Sequence, residues 1–385
     1  MIRACAVLGA LVVAIVGLLR GPSAAQPHRP AGVDVYVSGE DGYACIKIPY
    51  LMQTAAGTLL ALGEARGGSC DSGSCSDYTC TDLVLKRSQD GGASWGALAV
   101  LVAPNGRGPS AGTHRAGNAA PVQDASTGRI WIPYCVDNAR VYVIHSDDDG
   151  ITWSSPVEVP AAVDPSWEWV GLGPPGGIQL RHGPHAGRLL VPAYHQSFPI
   201  EANGLISHAH AMWSDDHGAT WQRGAAVPDP ALYFSNECQA AELPDGRVLL
   251  NARSLLDFRL QSVSTDGGAT WSESVRAADL PEPFTGCEGS TVSAPDGTLY
   301  FSGLQDIWLE RYNLTLHRST DLGASWDAVD VVFPGSAAYS SLVLLQNGSL
   351  AVLFEWSQAL QPVFVPDAFT FYVFELSSSD VQWNR

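Results

Sequence analysis

The chain has 385 residues, of which 46% are hydrophobic and 16% are charged, so it can bury a sizeable core and is too apolar for a disordered protein. Its formal net charge of −18 argues against nucleic acid as the main partner, because phosphate binding requires a basic surface. The 39 glycines and 25 prolines favour many short strands joined by turns over a helical bundle.

The N-terminal segment has the pattern of a secretory signal peptide. Arg3 precedes the apolar run Ala4–Leu19, and the small residues 23–25 form a candidate cleavage site. The apolar run is shorter than the roughly 20 residues that span a bilayer, and an uncleaved membrane anchor is the alternative. We therefore predict a signal peptide over residues 1–25 and a secreted or lumenal mature chain, residues 26–385, without a membrane span.

Export permits disulfide bonds, and the mature chain holds seven cysteines, three of them within Cys70–Cys80. A zinc site is the alternative for these three cysteines. Disulfides are favoured because no second pair of zinc ligands accompanies them in the sequence. The odd number leaves at least one thiol free or paired with another chain, and Cys238 could bond with Cys287. Two Asn-x-Ser/Thr sequences, at Asn313 and Asn347, are compatible with glycosylation.

One eight-residue pattern, Ser-x-Asp-x-Gly-x-Ser/Thr-Trp, occurs five times. Each copy follows an apolar or alternating run, which places it in a turn between two strands. In such a turn the Asp carboxylate can accept hydrogen bonds from backbone amides, Gly takes a positive φ, and Trp packs where the next strand leaves. The copies are Ser88–Trp95, Ser146–Trp153, Ser214–Trp221, Ser264–Trp271 and Ser319–Trp326.

A repeat of this length with several strands per unit is typical of a β-propeller. The mature length divides into six units of about 60 residues, so we predict an all-β fold, a single six-bladed β-propeller over residues 26–385. We expect strands from both chain ends, around Val33–Val37 and Thr370–Phe374, to pair and complete the sixth blade. Such closure leaves no long free sheet edge.

The five turns resemble the Asp boxes of the sialidase (neuraminidase) superfamily, and the resemblance covers nearly all of the mature chain. In Ile46-Lys47-Ile48-Pro49, Lys47 stands where the family's first arginine belongs. Glu64-Ala65-Arg66 resembles the segment whose arginine lies beside the substrate. The other matching positions, in chain order, are Asp77 (acid/base aspartate), Asn118 (substrate-side asparagine), Glu237 (buried glutamate), Arg253 and Arg311 (second and third arginines), Tyr339 (nucleophile) and Glu355 (the brace of the first arginine).

The resemblance implies a retaining exo-α-sialidase that removes terminal sialic acid, or a related ulosonic acid, from glycoconjugates. Tyr339 would attack the anomeric carbon after Glu237 accepts its proton, and a tyrosine nucleophile is known for sialidases. Asp77 would protonate the leaving oxygen and then deprotonate water, with Asp71 as the alternative acid. No metal or organic cofactor is required, and transfer to another sugar is not excluded.

Lys47 leaves two hypotheses open. Arg253 and Arg311 would meet the substrate carboxylate with planar forks, whereas Lys47, paired with Glu355, would supply only a point charge. In the first hypothesis the chain is a hydrolase whose binding of the sugar is weakened. In the second it is a sialic-acid-binding, lectin-like or scaffold propeller that has lost rapid turnover.

Three histidines lie around a Gly/Pro-rich run. We expect them to be loop histidines that face solvent, with contact to the substrate as the alternative. They are His182, His185 and His195.

Overall fold

The computed structural model describes residues 29–67, 75–104, 114–197, 206–230, 233–283, 285–305, 311–358 and 365–374. The predicted signal peptide and the alternative acid Asp71 lie outside these residues. Within them, no helix is both long enough and apolar enough to cross a membrane.

The described residues form 25 strands and two short 3-10 helices, Pro160–Ala162 and Gly183–His185. The strands are β1 Val33–Val37, β2 Cys45–Gln53, β3 Leu59–Arg66, β4 Thr81–Ser88, β5 Ala99–Val102, β6 Ala116–Gly117, β7 Val122–Gln123, β8 Ile130–Val136, β9 Arg140–Ser146, β10 Val157–Glu158, β11 Trp169–Leu172, β12 Ile178–Gln179, β13 Leu189–Gln196, β14 His208–Ser214, β15 Gln222–Arg223, β16 Cys238–Glu242, β17 Val248–Ala252, β18 Phe258–Ser264, β19 Val275–Pro281, β20 Ser290–Ser293, β21 Leu299–Leu304, β22 Tyr312–Ser319, β23 Asp327–Leu344, β24 Leu350–Ser357 and β25 Ala368–Val373.

These strands build five sheets in the described part of the chain. Four sheets follow the chain order and contain β2–β5, β6–β10, β11–β15 and β16–β19. The fifth has seven strands in the order β1-β25-β24-β23-β22-β21-β20. The prediction of an all-β fold is confirmed, and the arrangement is consistent with a β-propeller, but the strands do not separate into six sheets.

The seven-stranded sheet arises because β23 is 18 residues long and changes partner along its length. Its first half pairs with β22, for example Val331 with Thr315. Its second half pairs with β24, for example Val343 with Ala351. Because no turn interrupts this strand, two groups of strands that would otherwise be separate form one continuous sheet.

The two ends of the chain meet in that sheet. Strand β1 pairs antiparallel with β25, with Val33 opposite Phe371 and Val37 opposite Ala368. The Thr370 hydroxyl also donates to the Asp34 carboxylate at 2.5 Å. The predicted pairing of both chain ends is therefore confirmed, and it covers the edge that β25 would otherwise expose.

The five repeated turns have the predicted internal hydrogen bonds. In Ser146–Trp153, the Ser146 hydroxyl oxygen accepts the Gly150 amide at 2.9 Å. The Asp148 carboxylate accepts the Thr152 amide at 2.8 Å and the Thr152 hydroxyl at 2.6 Å. Gly150 has a φ of +77°, which a residue with a side chain rarely adopts. The same bonds recur in the other four copies.

Each repeated turn also packs against another sheet. A Cβ atom added to the turn glycine would approach a side chain of that sheet to between 2.1 and 3.2 Å, so any larger residue would crowd that side chain. Four turns contact the sheet that precedes their own in the chain, and the first turn contacts β25 of the last sheet. The pairs are Gly92 with Phe371, Gly150 with Leu60, Gly218 with Trp131, Gly268 with Leu190 and Gly323 with Leu249.

Candidate active site

A cavity of about 310 Å³ is lined by side chains on, or next to, strands of all five sheets. Six of the nine predicted site residues line it, although they lie far apart in the sequence. The remaining three, Lys47, Arg311 and Glu355, are not among its lining residues. The six that line it are Arg66, Asp77, Asn118, Glu237, Arg253 and Tyr339.

Tyr339, Glu237 and Arg253 form a connected group in this cavity. The Tyr339 hydroxyl donates to Glu237 Oε1 at 2.5 Å. Arg253 Nη1 donates to Glu237 Oε2 at 2.7 Å and to Tyr339 Oη at 3.1 Å. Burial and the charge of Glu237 raise the pKa of Tyr339 well above its usual value, against the opposing effect of Arg253. The phenol is therefore protonated here, with a carboxylate in place to accept its proton.

The pairing of β16 with β17 explains why Glu237 and Arg253 are neighbours. Cys238 lies opposite Ala252 in this antiparallel pair, so the residues just outside the two strands also face each other. The Arg253 amide donates to the Glu237 carbonyl at 2.8 Å, which extends the pairing by one step. Both side chains then reach Tyr339 of β23 across the cavity.

Two guanidinium groups flank the Tyr339 ring. Arg311 Cζ lies 5.6 Å from the centre of that ring. Adjacent backbone carbonyls hold both groups: Arg253 Nη2 donates to Thr285 O at 2.8 Å, and Arg311 Nη2 donates to Gly286 O at 3.3 Å. This arrangement places one planar donor at the phenol oxygen and a second beside the ring, and both are groups of the kind that bind anions.

Lys47 lies close to this cluster in β2 and is only 8% exposed. Burial and the charge of Arg66 lower its pKa, while Glu355 opposes that effect. The expected ion pair between Lys47 and Glu355 does not form among the described residues. Glu355 Oε1 accepts instead the backbone amide of Ile48, at 2.7 Å. The reason is an irregularity in β2, where Ile48 has a φ of +59° and its amide faces β24.

Asp77 lies at the rim of the cavity, and its side chain is 67% exposed. Arg66 of β3 contacts Asp77 through Nη1 and donates through Nη2 to Glu64 at 2.7 Å. Burial acts to raise the pKa of Asp77, but the charges of Arg66 and Lys47 outweigh it and lower the pKa. Asp77 is therefore a carboxylate here, and it would have to gain a proton before it could act as an acid.

Asn118 lines the opposite side of the Glu64 carboxylate. Its backbone amide donates to Glu64 Oε1 at 2.8 Å, and its side-chain oxygen accepts from Asn138 at 2.6 Å. Its φ of +48° belongs to the left-handed region, which asparagine tolerates better than most residues. The hydrogen bond from its amide to Glu64 holds Asn118 at the wall of the cavity.

The cysteines follow the predicted pattern only in part. Cys45 and Cys75 form a disulfide, and Cys80 is also disulfide-bonded, so disulfides are confirmed for two members of the 70–80 group. The suggested bridge between Cys238 and Cys287 is wrong, because both are buried free thiols. Within the described residues, no group of three His, Cys, Asp or Glu side chains could hold a metal ion.

The histidine expectation is wrong for His195. This residue lies in β13, is 5% exposed, and its Nδ1 atom is 3.1 Å from Nδ1 of His210. Because side chains alternate along a strand, His195 faces away from the cavity that its neighbour Tyr194 lines. His182 is half-exposed, as expected, and neither it nor His185 lines the described cavity.

Sequence reasoning missed several wall residues. Arg115 is one of them: its Nη1 atom donates to the Asp77 carbonyl at 3.3 Å, and its Cζ lies 5.5 Å from the Tyr78 ring centre. Their common signal is weak, since each is a polar or aromatic residue at or near a strand end. The others include Tyr78, Asn138, Trp169, Tyr194, Gln196 and Asn236.

Comparison with known proteins gives one consistent result. The family described as a BNR repeat-like domain matches residues 72–352. The chain is 32% identical over 366 residues to a sialidase of Micromonospora viridifaciens, covering 86% of this chain and 54% of that protein. It is 36% identical over 302 residues to Sialidase-4 of Homo sapiens, covering 70% of this chain and 58% of that protein. The chain thus spans little more than half the length of these two relatives.

A solved structure agrees with these sequence relationships. The structure titled Hadza microbial sialidase Hz136 superposes with a TM-score of 0.78 at 25% identity, covering 94% of this chain and 71% of that one. The chain therefore belongs to the BNR repeat-like domain family and to the sialidase superfamily.

Proposed function

We propose that this protein is a retaining exo-α-sialidase that hydrolyses terminal sialic acid, or a related ulosonic acid, from glycoconjugates through a tyrosyl-enzyme intermediate. The observation that carries the proposal is the contact between Tyr339 Oη and Glu237 Oε1, with Arg253 bound to both. A phenol with a raised pKa is a poor nucleophile unless a base takes its proton, and Glu237 is placed to do so.

The first chemical step would form a bond between Tyr339 Oη and the anomeric carbon. The phenol proton passes to Glu237, the bond to the leaving oxygen breaks, and Asp77 gives that oxygen a proton. In the second step Asp77 takes a proton from water, the water oxygen bonds to the anomeric carbon, and Tyr339 leaves and regains its proton from Glu237. Two displacements at one carbon retain its configuration.

The anionic substrate would meet a positive cluster in an otherwise acidic protein. Arg253 and Arg311 flank the tyrosine and would bind the carboxylate with their planar forks, and Lys47 would add a point charge. The substrate's negative charge would also offset the effect of Arg66 on Asp77. That change favours the protonated form of Asp77, which the first step requires.

A second reading, a sialic-acid-binding propeller with impaired turnover, is favoured by one observation. Lys47 is buried and its pKa is lowered, so it is a weaker anion ligand than the arginine in the family pattern. We rank it second because Asp77, Glu237 and Tyr339 are all present and gather around one cavity.

We further propose that the whole mature chain, residues 26–385, is one six-bladed propeller. Strands β20–β22 with the first half of β23 would form one blade, and the second half of β23 with β24, β25 and β1 would form the last. Secretion after removal of residues 1–25 is part of this proposal. So is glycosylation at Asn347, which is exposed, and at Asn313.

The test is turnover by the wild type and by Tyr339→Phe on an α-sialoside. Wild type should release sialic acid first as the α-anomer, seen by ¹H NMR, and Tyr339→Phe should lose about 10³-fold or more in kcat with its circular dichroism unchanged. The control is Tyr142→Phe, which removes a surface phenol bonded to Glu158. A β-anomer product would contradict the retaining mechanism, and sugar binding without turnover in the wild type would establish the lectin-like reading.

A further inference from the structure

The segment that carries Asp77 has little structure of its own to hold it. Residues 75–80 form no strand or helix before β4 begins at Thr81. About two thirds of the Asp77 side chain is exposed, and its carboxylate contacts Arg66. A general acid must nevertheless lie within hydrogen-bond reach of the atom that it protonates. Another element of the structure must therefore position this residue.

The Cys45–Cys75 disulfide supplies such an element. Cys45 is the first residue of β2 and is completely buried, and its Cα atom lies 5.8 Å from that of Cys75. Cys75 precedes Asp77 by two residues, and Cys45 precedes Lys47 by two residues. The bond thus ties the exposed segment to the buried strand that carries a cation of the same site.

The contacts of Arg66 reinforce this connection. Arg66 Nη1 contacts the Asp77 carboxylate and also approaches the Cys75 carbonyl at 3.5 Å. Both acceptors lie on the segment that the disulfide anchors. Because that segment is held in place, the Arg66 guanidinium can contact both of them at once. Without the covalent bond, the position of Asp77 would depend on these contacts and on the hydrogen bond that Arg115 Nη1 donates to the Asp77 carbonyl.

We propose that the Cys45–Cys75 disulfide is a positioning element for Asp77 and contributes specifically to proton transfer to the leaving group. This inference rests on the proposed function of Asp77. Lys47 lies on the anchored strand itself, but the two arginines proposed to bind the carboxylate and the nucleophile lie on or next to strands of other sheets and are not joined to this segment by the disulfide; they are Arg253, Arg311 and Tyr339. Loss of the bond should therefore weaken acid catalysis and leave binding of the sugar almost unchanged.

The dependence of rate on the leaving group separates this role from a general loss of stability. The alcohol of a natural glycoside needs a proton as it leaves, whereas 4-nitrophenolate leaves without one. The test is kcat/KM, which reports the steps up to departure of the aglycone, for 3′-sialyllactose and for the 4-nitrophenyl α-sialoside. Cys45→Ser/Cys75→Ser should lose about tenfold or more on the lactose substrate and less than about twofold on the aryl substrate.

Three variants complete the experiment. Asp77→Ala should show the same preference for the aryl substrate, with a loss on sialyllactose of about 10²–10⁴-fold. Leu190→Ala, a core change in another sheet, controls for lowered stability and should affect both substrates equally. A single glycine inserted between Ser76 and Asp77 keeps the disulfide but loosens its link to Asp77, and it should reproduce the effect of the double variant if that variant does not fold.

The outcomes distinguish the two proposals. The cysteine and insertion variants could instead lose activity equally on both substrates, or lose none. Either result would overturn the positioning role. The proposed function would stand as long as Asp77→Ala retains its preference for the aryl substrate. If Asp77→Ala itself shows no such preference, the acid role of Asp77 in the proposed function fails.

Discussion

Lys47 makes the charge of the site depend on pH. Burial and the charge of Arg66 lower the pKa of this ammonium, whereas an arginine in its place would stay protonated throughout. Glu355 does not pair with Lys47 but bonds to the Ile48 amide, so no direct ion pair fixes the lysine charge. Binding of an anionic sugar should therefore weaken as the pH rises, because the neutral amine gives the carboxylate no charge.

Lys47→Arg should tighten binding of sialic acid by about three- to tenfold at pH 7, roughly the net value of one added hydrogen bond. It should also remove the loss of affinity that the wild type shows as the pH rises through the lowered pKa of Lys47. Titration calorimetry with the free sugar measures both effects. Lys86→Arg is the matched control, since Lys86 is the only other lysine and pairs with Asp41 at 2.9 Å. Parallel pH profiles for wild type and Lys47→Arg would show that Lys47 does not contact the carboxylate.

The sequence predicts the centre of the site better than its walls. Tyr339, Glu237 and Arg253 stand in motifs that resemble a known family, and the structure brings them into contact. Trp169 and Tyr194 line the same cavity but lie in ordinary apolar strands. Whether such a residue faces the cavity or the core depends on strand register and tilt, which short-range patterns do not fix.

At the scale of the element, the repeated turns work through carboxylates that must remain ionised. In the second copy, hydrogen bonds from the Thr152 hydroxyl and amide and from the Ser146 hydroxyl lower the pKa of Asp148 to about 2. A group whose pKa is lower in the folded chain than in the unfolded chain stabilises the fold above the unfolded value and loses that effect as the pH falls. The turns should therefore weaken between about pH 4 and pH 2.

Asp148→Asn should lower the melting temperature at pH 7 by a few degrees, because the amide replaces one of two acceptor oxygens with a donor. The variant should also lose less stability than the wild type between pH 4 and pH 2, since asparagine does not titrate. Differential scanning calorimetry across this range measures both. Asp257→Asn removes an exposed carboxylate outside the turns and serves as the control. The same acid dependence in Asp148→Asn and wild type would contradict the role assigned to the carboxylate.

The length and continuity of strand β23 could not be predicted from the sequence. The repeated turns mark strand boundaries through local hydrogen bonds, so their positions could be read from the sequence. The passage from one group of strands to the next within β23, around Pro334 and Gly335, carries no such turn. These two residues suggest a break by local rules, yet pairing with β22 on one side and β24 on the other keeps the strand continuous.

For the whole molecule, the pairing of the two chain ends could be predicted, because an open sheet edge is unfavourable in any β protein. A sheet edge left open at each end of the chain would expose unpaired backbone groups, so pairing of the two ends is favoured. The structure adds a second connection at the same place, which the sequence did not indicate. The first repeated turn, in the sheet of β2–β5, packs its Gly92 against Phe371 of β25. This contact joins the first sheet to the last, and the β1–β25 pairing adds a second link because the chain continues from β1 in the last sheet to β2 in the first.

Two adjacent glycines in that turn allow the connection to be tested. Gly91 and Gly92 both have positive φ values, +73° and +91°, so alanine costs about 1–2 kcal/mol of backbone strain at either position. An added Cβ meets nothing within 4 Å at Gly91 but would lie 2.1 Å from the Phe371 ring at Gly92. Gly92→Ala should therefore destabilise the protein by about 1–3 kcal/mol more than Gly91→Ala, the usual cost of overpacking.

Urea unfolding of the two variants measures this difference, and hydrogen exchange locates it. If the contact helps to close the molecule, amides of β1 and β25 should exchange faster in Gly92→Ala than in Gly91→Ala, while those of β16–β19, on a different sheet, should be unaffected. Equal stabilities would show that Phe371 moves aside without cost. If the contact acts only at the junction of the first and last sheets, its loss must loosen those sheets before the others. A uniform rise in exchange across all sheets would therefore show that Gly92 supports the fold in general.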